Sequence, residues 1–168
     1  MTRLLWVGPA FPIDATLANP AVTPAASRWQ KGLFEGLSAG GVEVWAIGHE
    51  SHRMWPRGPI LVPRTTTRLG MVPMTAVGHA NVPWLREWSV ATGLVAAARG
   101  VVGEWGMPDL IASYNSPAGV AAACRRISRD YRAPWTPFIL DSPSPVPGWS
   151  NVTRGIRESA GVVFVSHW

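Results

Sequence analysis

Cysteine, lysine and long hydrophobic runs are scarce in this chain, and each shortage excludes a class of protein. The single cysteine, Cys124, excludes an internal disulfide, and its place in a helical apolar series predicts a buried core thiol rather than a nucleophile. No stretch of about 20 residues is free of charged side chains, which argues against a membrane-spanning helix. The first residues lack the apolar segment of a signal peptide, so the sequence predicts a cytoplasmic protein.

Several motifs with a known mechanism are missing as well. No G-x-G-x-x-G follows the first apolar run, and neither G-x-x-x-x-G-K-[ST] nor G-x-S-x-G occurs. Dinucleotide binding, phosphate-loop hydrolysis and serine esterase chemistry are therefore not indicated. His49 and His52 lie three residues apart, but the other two histidines do not complete a zinc-site spacing, so no metal site is predicted.

Basic residues outnumber acidic residues in this chain, and nearly all of the basic residues are arginines. The chain has 15 Lys and Arg against 10 Asp and Glu, for a formal net charge of +5, and Lys31 is its one lysine. Arg125, Arg126, Arg129 and Arg132 lie toward the end of one predicted helix, where the helix dipole favours cations, so we expect a solvated face rather than a nucleic-acid site. A peripheral contact with anionic lipid head groups, or with a phosphorylated substrate, is the alternative.

A strand, helix, strand unit occupies the first 49 residues. The apolar runs at 4–7 and 42–47 indicate strands that are buried on both faces. Between them, residues 26, 29, 33 and 37 are apolar at helical spacing, with Thr23 as N-cap, Pro24 at the first helical position and two glycines past the end. Two parallel strands joined through a helix require a crossover, which predicts a parallel sheet with helices on its faces.

Strands and helices continue to alternate along the rest of the chain. A short strand is expected at 60–63, near a sheet edge because of Pro63, and a weaker one within 71–77. Further strands are predicted at 109–115, 137–141 and 161–166, with helices at 84–105, at 116–131 and at about 151–159. The buried face expected for the helix at 84–105 consists of Trp84, Trp88, Ala91, Val95, Ala98, Val102 and Trp105. The sequence therefore predicts one α/β domain over residues 1–168, with a doubly wound, mostly parallel, Rossmann-like sheet in three layers.

Five segments in succession carry a resemblance to a known family. They are RLLWVG, SRWQKGLFEGLSAGGVEVWAIG, MPDLIASYN, APWTPFILD and IRESAGVVFVS. The turn at 41–44, the P-D-hydrophobic strand at 108–111 and the strand at 160–166 resemble the N-terminal domain of GT-B-fold glycosyltransferases, in the large retaining family that includes glycogen synthases and bacterial mannosyltransferases. The resemblance covers nearly the whole chain.

The resemblance implies a transferase that moves a sugar from a nucleotide-sugar donor to a sugar, lipid or small-molecule acceptor, with retention at the anomeric carbon. It implies no obligatory metal and no cofactor, since the nucleotide-sugar is a co-substrate. In that family the donor is bound by a C-terminal domain, which is absent from these 168 residues. We therefore expect an acceptor-side domain that belongs to a two-domain enzyme and is inactive alone.

Ligands of such a sheet bind at the carboxyl ends of its strands. There, Asn115 and Asp141 are the candidate catalytic residues, because an amide can bond a sugar hydroxyl and a carboxylate can orient it or act as base. The candidate substrate-binding residues are Phe11, Thr23, Ser116, Ser142, Trp149 and His167. Each of three candidates also has a structural alternative. Asn115 could shape a turn, Asp141 could cap a helix, and Trp149 could anchor a loop.

Two functions of other classes stay open. A non-catalytic Rossmann-like module could bind an anionic small molecule at the helix starts near Thr23 and Ser116. A protein-interaction domain could instead present the apolar strand at 161–166 as an exposed edge. The same edge predicts self-association of the chain through this strand.

Overall fold

The computed structural model describes residues 1–9, 24–139 and 157–164. In chain order the elements are β1 (Thr2–Pro9), α1 (Pro24–Ala39), β2 (Val42–His49), β3 (Leu61–Val62), β4 (Thr65–Leu69), β5 (Val72–Ala76), β6 (His79–Ala80), α2 (Arg86–Trp105), β7 (Leu110–Tyr114), α3 (Ala118–Tyr131), β8 (Trp135–Ile139) and β9 (Val163–Phe164). Seven strands form one sheet in the order β4-β5-β2-β1-β7-β8-β9, and β3 and β6 form a separate pair.

The main sheet is parallel except at one edge. β1 lies between β2 and β7 and is parallel to both, so that Leu5 is aligned with Trp45 on one side and with Ile111 on the other. β2 with β5, β7 with β8 and β8 with β9 are also parallel, whereas β4 runs antiparallel to β5. This arrangement confirms the predicted α/β fold with a mostly parallel, Rossmann-like sheet.

Two hydrophobic cores lie on opposite faces of this sheet and give the fold its three layers. Leu4 and Trp6 of β1 face α1, while Leu5 and Val7 face α2 and α3, and all four side chains are buried. The Trp6 ring lies against three other aromatic rings, from Trp29, Phe34 and Phe138, at centroid distances of 6.2, 5.3 and 5.6 Å. Burial on both faces explains why β1 has a continuous apolar run instead of alternation.

Cys124 lies in the core between α3 and the sheet, as predicted. It is fully buried, and burial raises the pKa of its thiol far above the usual range, partly offset by a hydrogen bond with Ser113. A thiol with so high a pKa does not ionise at neutral pH and is a poor nucleophile.

The segment between β2 and α2 differs from the expected alternation. The strand predicted at 60–63 is present as β3, but it pairs with β6 outside the main sheet. The edge of the main sheet is formed by β4, which was not predicted, and β4 turns into β5 at Gly70, whose φ is +62°. β5 is the short strand that was expected within 71–77.

The buried face predicted for α2 is partly correct, because Ala98 is buried and Val95 and Trp105 are partly buried against the core. The helix begins at Arg86, and its buried residues are Val90, Leu94, Ala98 and Val101. Trp84 and Trp88 are 76% and 67% exposed, so core packing does not explain them. Trp105 is partly buried and packs on Trp45, with ring centroids 6.0 Å apart.

The start of α3 also differs from the prediction. Pro117 is the N-cap residue instead of Ser116, and no side chain of the N-cap residue bonds the first turn. The carboxylate of Glu87 on α2 accepts a hydrogen bond from the Gly119 N–H at 2.6 Å and so satisfies one of the free amides at the start of the helix. Of the helix predicted at 151–159, only the end lies within the described residues. In the described part of the chain, no helix is both long and apolar enough to cross a membrane.

Candidate functional site

The order of the strands identifies the candidate site. The chain passes from β1 outward through β2 and β5, and later from β7 outward through β8 and β9 on the other side. The direction of the connections therefore reverses between β1 and β7. In open parallel sheets, ligands bind in the crevice at the carboxyl ends of the two strands that flank such a switch point.

The two strands that flank the crevice approach each other closely at their carboxyl ends. A Cβ atom added to Gly8 would lie 3.2 Å from the Tyr114 backbone nitrogen and 3.4 Å from the Tyr114 Cβ. The fully buried Gln30 of α1 donates from Nε2 to the Pro9 carbonyl at 3.1 Å, while its buried Oε1 has no hydrogen-bond partner among the described residues. Gln30 thus fixes the end of β1 and places an unsatisfied acceptor beside it.

Asn115 follows β7 at this crevice in a left-handed backbone conformation. Its φ is +46°, and the φ of Ser116 is +30°. The Asn115 N–H donates to the Phe138 carbonyl of β8 at 2.8 Å, and the Ser116 N–H donates to the Tyr114 carbonyl at 2.6 Å. Two consecutive non-glycine residues with positive φ store backbone strain, and such strain is concentrated at functional sites.

The Ser116 side chain is directed inward rather than toward the crevice. Its hydroxyl oxygen lies 2.7 Å from that of Ser113, which also accepts a hydrogen bond from Trp135 Nε1 at 2.8 Å, and Ser116 is 2% exposed. This network holds the strained turn in place. Substrate binding by Ser116 stays a prediction, and the observed bonds give its side chain a supporting role beside Asn115.

Two buried histidines lie near the carboxyl end of β2, on the other side of β1 from Asn115. His49 is the last residue of β2, and its ring meets that of His79 edge to face, with centroids 5.6 Å apart. Burial, together with His79 and Arg86 nearby, lowers the pKa of His49 to about 3. Burial also lowers the pKa of His79, although a hydrogen bond to the Val77 carbonyl opposes this effect. Both imidazoles are therefore neutral at pH 7.

Glu50, His52 and Thr65 form a polar group that follows His49 at the end of β2. Glu50 bonds His52 Nε2 at 3.2 Å and accepts from Thr65 Oγ1 at 2.7 Å. Within residues 1–9, 24–139 and 157–164, no three or more His, Cys, Asp or Glu side chains are grouped so that they could hold a metal ion. His49 Nδ1 and His79 Nε2 are buried and have no hydrogen-bond partner among the described residues.

The start of α2 lies close to this edge and bears exposed aromatic side chains. Arg86 is near enough to influence the pKa of His49 at the end of β2, and Glu87 reaches the first turn of α3. Trp84 and Trp88, on either side of these two residues in the sequence, are largely exposed. Exposed indole rings can stack on the apolar faces of a sugar or another flat ligand.

The described residues include only two of the predicted site residues. Asn115 and Ser116 are adjacent at the crevice, whereas Phe11, Thr23, Asp141, Ser142, Trp149 and His167 lie outside the described residues. Sequence reasoning missed Gln30, His79 and Arg86 as parts of this edge. His49 ends a predicted strand, so the rule that selected Asn115 could also have selected it.

No protein-family model matches the chain, and no curated protein matches it either.

Proposed function

We propose that this domain is the acceptor-binding half of a retaining glycosyltransferase. The observation that carries the proposal is the position of Asn115, whose amide follows β7 in a strained turn beside Gly8, at the switch point of the parallel sheet. An amide at this place can donate to one sugar hydroxyl and accept from another. The geometry alone does not name a reaction. Sugar transfer is proposed because the sequence segments, in their order, resemble the GT-B family.

In the proposed reaction the acceptor lies in the crevice with one hydroxyl directed at the donor. Its oxygen forms the new bond to the anomeric carbon, while the bond from that carbon to the diphosphate of the nucleotide-sugar breaks. The hydroxyl proton passes to Asp141 or to the departing diphosphate. Asn115 orients the acceptor, and the neutral rings of His49 and His79 lie near the end of β2, on the other side of β1. The donor is bound by a separate domain, so transfer requires that domain as well.

A module that binds small anions is the second class of function, and one contact bears on it. At the start of α3, the Glu87 carboxylate already accepts the hydrogen bond from the Gly119 N–H. Free amides at a helix start are what attract an anion, and here a carboxylate of the chain occupies one of them. This contact favours a neutral ligand such as a sugar at the end of β7.

Nuclear magnetic resonance titration of the ¹⁵N-labelled chain tests the proposal. The probes are methyl α-mannoside, methyl α-glucoside and maltose as acceptors, with UDP-glucose and GDP-mannose as donors and inorganic phosphate as the anion. We expect at least one sugar to shift the amide signals of Gly8 and Asn115 with a Kd of roughly 1 mM, about −4 kcal/mol, because an open half-site buries little of its ligand. Micromolar binding of a nucleotide-sugar would contradict the assignment to the acceptor half, and shifts at this crevice with phosphate alone would support the anion-binding module.

A further inference from the structure

The outer surface of α2 and α3 has a groove that the proposed function does not use. Its volume is about 650 Å³. The groove runs between the two helices on the face turned away from the sheet, and small side chains form its floor. They are Ala91, Val95 and Ala96 of α2, and Ala122 and Ala123 of α3.

Arginines surround this floor of small residues. Arg99 comes from α2, and Arg125, Arg126 and Arg129 come from α3. Arg126 pairs with Asp130 one turn away at 3.0 Å. Within the described ranges of the chain, Arg99 and Arg129 form no ion pair, and both are exposed. Two guanidinium groups are thus available to an anionic partner on the two sides of the groove.

One carboxylate already enters the groove from another part of the chain. Glu158 lies in a separate segment, 33 residues after Arg125, and its Oε2 is 3.5 Å from Arg125 Nη1. Glu158 is therefore an observed example of an acidic side chain that approaches this surface from outside the two helices. Arginine can bind further carboxylates in the same way, because its donors match the two oxygens of a carboxylate.

The length and chemistry of the groove indicate what would fill it. The lining residues of α2 extend from Ala91 to Arg99, which is roughly 12 Å at 1.5 Å per residue, or about two helical turns. A floor of alanine and valine leaves room for the apolar side chains of another helix, placed at i, i+3 or i+4 and i+7. A phosphate group could bind the arginines beside the groove, but it would leave the floor of alanine and valine uncovered.

We propose that this groove, called here the α2–α3 groove, binds an acidic amphipathic helix of a partner protein. The apolar face of that helix covers the alanine floor, and its flanking glutamates or aspartates pair with Arg99 and Arg129. A second copy of this chain is a poor occupant, because its net charge is +5. The α2–α3 groove lies on a different surface from the crevice at Asn115, so the proposal stands apart from the proposed function.

Fluorescence anisotropy with a synthetic probe tests the proposal. The probe is a labelled helical peptide of about 16 residues, with leucines at helical spacing on one face and glutamates beside them. Its matched control has glutamine in place of each glutamate. We expect the chain to bind the glutamate peptide at least about tenfold more tightly than the glutamine peptide, and added salt to weaken this binding. Equal binding of both peptides, or of neither, would overturn the proposal.

Two variants localise the peptide to the groove. Arg99→Gln with Arg129→Gln should weaken binding by about tenfold or more, whereas Arg53→Gln with Arg57→Gln, at exposed arginines elsewhere, should change it by less than about twofold. Ala96→Trp keeps every charge but fills the floor at an exposed position, so it should also abolish binding. Thermal unfolding of each variant checks that its fold is intact.

The same variants separate a protein helix from other anionic ligands. Vesicles of phosphatidylglycerol, a single-stranded RNA and inorganic phosphate are added in parallel. Binding to any of these that depends on Arg99 and Arg129 but is unaffected by Ala96→Trp would overturn the proposal in favour of that ligand. The proposal is supported if peptide binding is lost in both groove variants and if none of the three other ligands binds in the way just described.

Discussion

Asn115 is the residue at which backbone strain and the candidate chemistry coincide. Its φ of +46° lies in the region that side chains with a Cβ rarely adopt, although asparagine tolerates it better than most residues because its amide bonds locally. A substitution at this position therefore changes two things at once, the energy of the turn and the group offered to a ligand. Glycine and alanine separate the two effects.

We expect Asn115→Gly to keep the stability of the chain and Asn115→Ala to lower it by about 1 kcal/mol, because alanine is strained at positive φ. Both substitutions remove the amide, so both should lower acceptor affinity, or transfer in the two-domain enzyme, by about tenfold, or 1.4 kcal/mol. Urea unfolding and the sugar titration measure the two quantities. If Asn115→Gly binds the acceptor as well as the unsubstituted chain does, Asn115 only shapes the turn.

We expect the buried histidine His49 to make the free energy of unfolding depend on pH. Its pKa falls from 6.5 to about 3 on folding, so between these values the unfolded state binds a proton that the folded state does not. The free energy of unfolding should therefore decrease as the pH falls below 6.5, by about 1.4 kcal/mol per pH unit for this group, and should be unaffected by it above pH 7. His79, whose pKa is also lowered, acts in the same direction.

Urea unfolding at pH 7 and pH 5 measures this effect. His49→Gln removes one titrating group while keeping a polar side chain. Between pH 7 and pH 5, the free energy of unfolding should therefore decrease by about 2 kcal/mol less in this variant than in the unsubstituted chain. An equal loss in both proteins would show that His49 does not cause the dependence.

At the scale of the elements, Glu87 and Gly119 join α2 to α3. A Cβ added to Gly119 would lie 2.6 Å from the Glu87 carbonyl oxygen and 3.0 Å from Glu87 Oε2. Gly119→Ala should therefore push the helices apart and lower the free energy of unfolding by about 1–3 kcal/mol. Gly100→Ala, in the middle of α2 with no atom near the added Cβ, should instead raise it by about 0.5–1 kcal/mol. Chemical denaturation compares the two, and equal effects would contradict the tight contact.

The elements that sequence patterns predicted well are those with one clear pattern. β1 is an apolar run that ends at turn residues, β2 is apolar from Val44 to Ile47, and α3 has a single apolar stripe through Val120, Cys124 and Ile127. α2 is different because alanine, valine and leucine occur on several of its sides. Its sequence alone therefore allows two apolar stripes, and the tryptophans favoured a stripe whose first two members, Trp84 and Trp88, are exposed in the fold.

β4 and the histidine pair were missed for a different reason, since both depend on long-range contacts. The threonines of β4 have no apolar alternation, and the strand forms because β5 is available to pair with it. His49 and His79 lie 30 residues apart and meet only when β2 and the segment before α2 come together. By contrast, the predicted strand at 109–115 placed Asn115 correctly at the carboxyl end of β7, because that placement needs only local pattern, whereas ligand binding by Asn115 stays a prediction.

At the scale of the whole molecule, β9 forms one edge of the main sheet. Val163 and Phe164 are 37% and 63% exposed, and no strand within the described residues pairs with the outer side of β9. An unpaired apolar edge promotes pairing between chains, so we expect the mass from light scattering to rise with concentration. Phe164→Lys should suppress the rise, whereas Met71→Lys, at an exposed methionine in a turn, should not. A monodisperse monomer at high concentration would contradict this prediction.

The central place of β1 has a consequence for synthesis on the ribosome. β1 is made before both of its neighbours, and β2 can cover one of its sides early, but β7 begins only at Leu110. At roughly 5–20 residues per second, the roughly 100 residues between β1 and β7 take on the order of 5–20 s to translate. During that interval one backbone edge of β1 lacks its partner, so we expect the nascent chain to be bound by chaperones that recognise extended apolar segments.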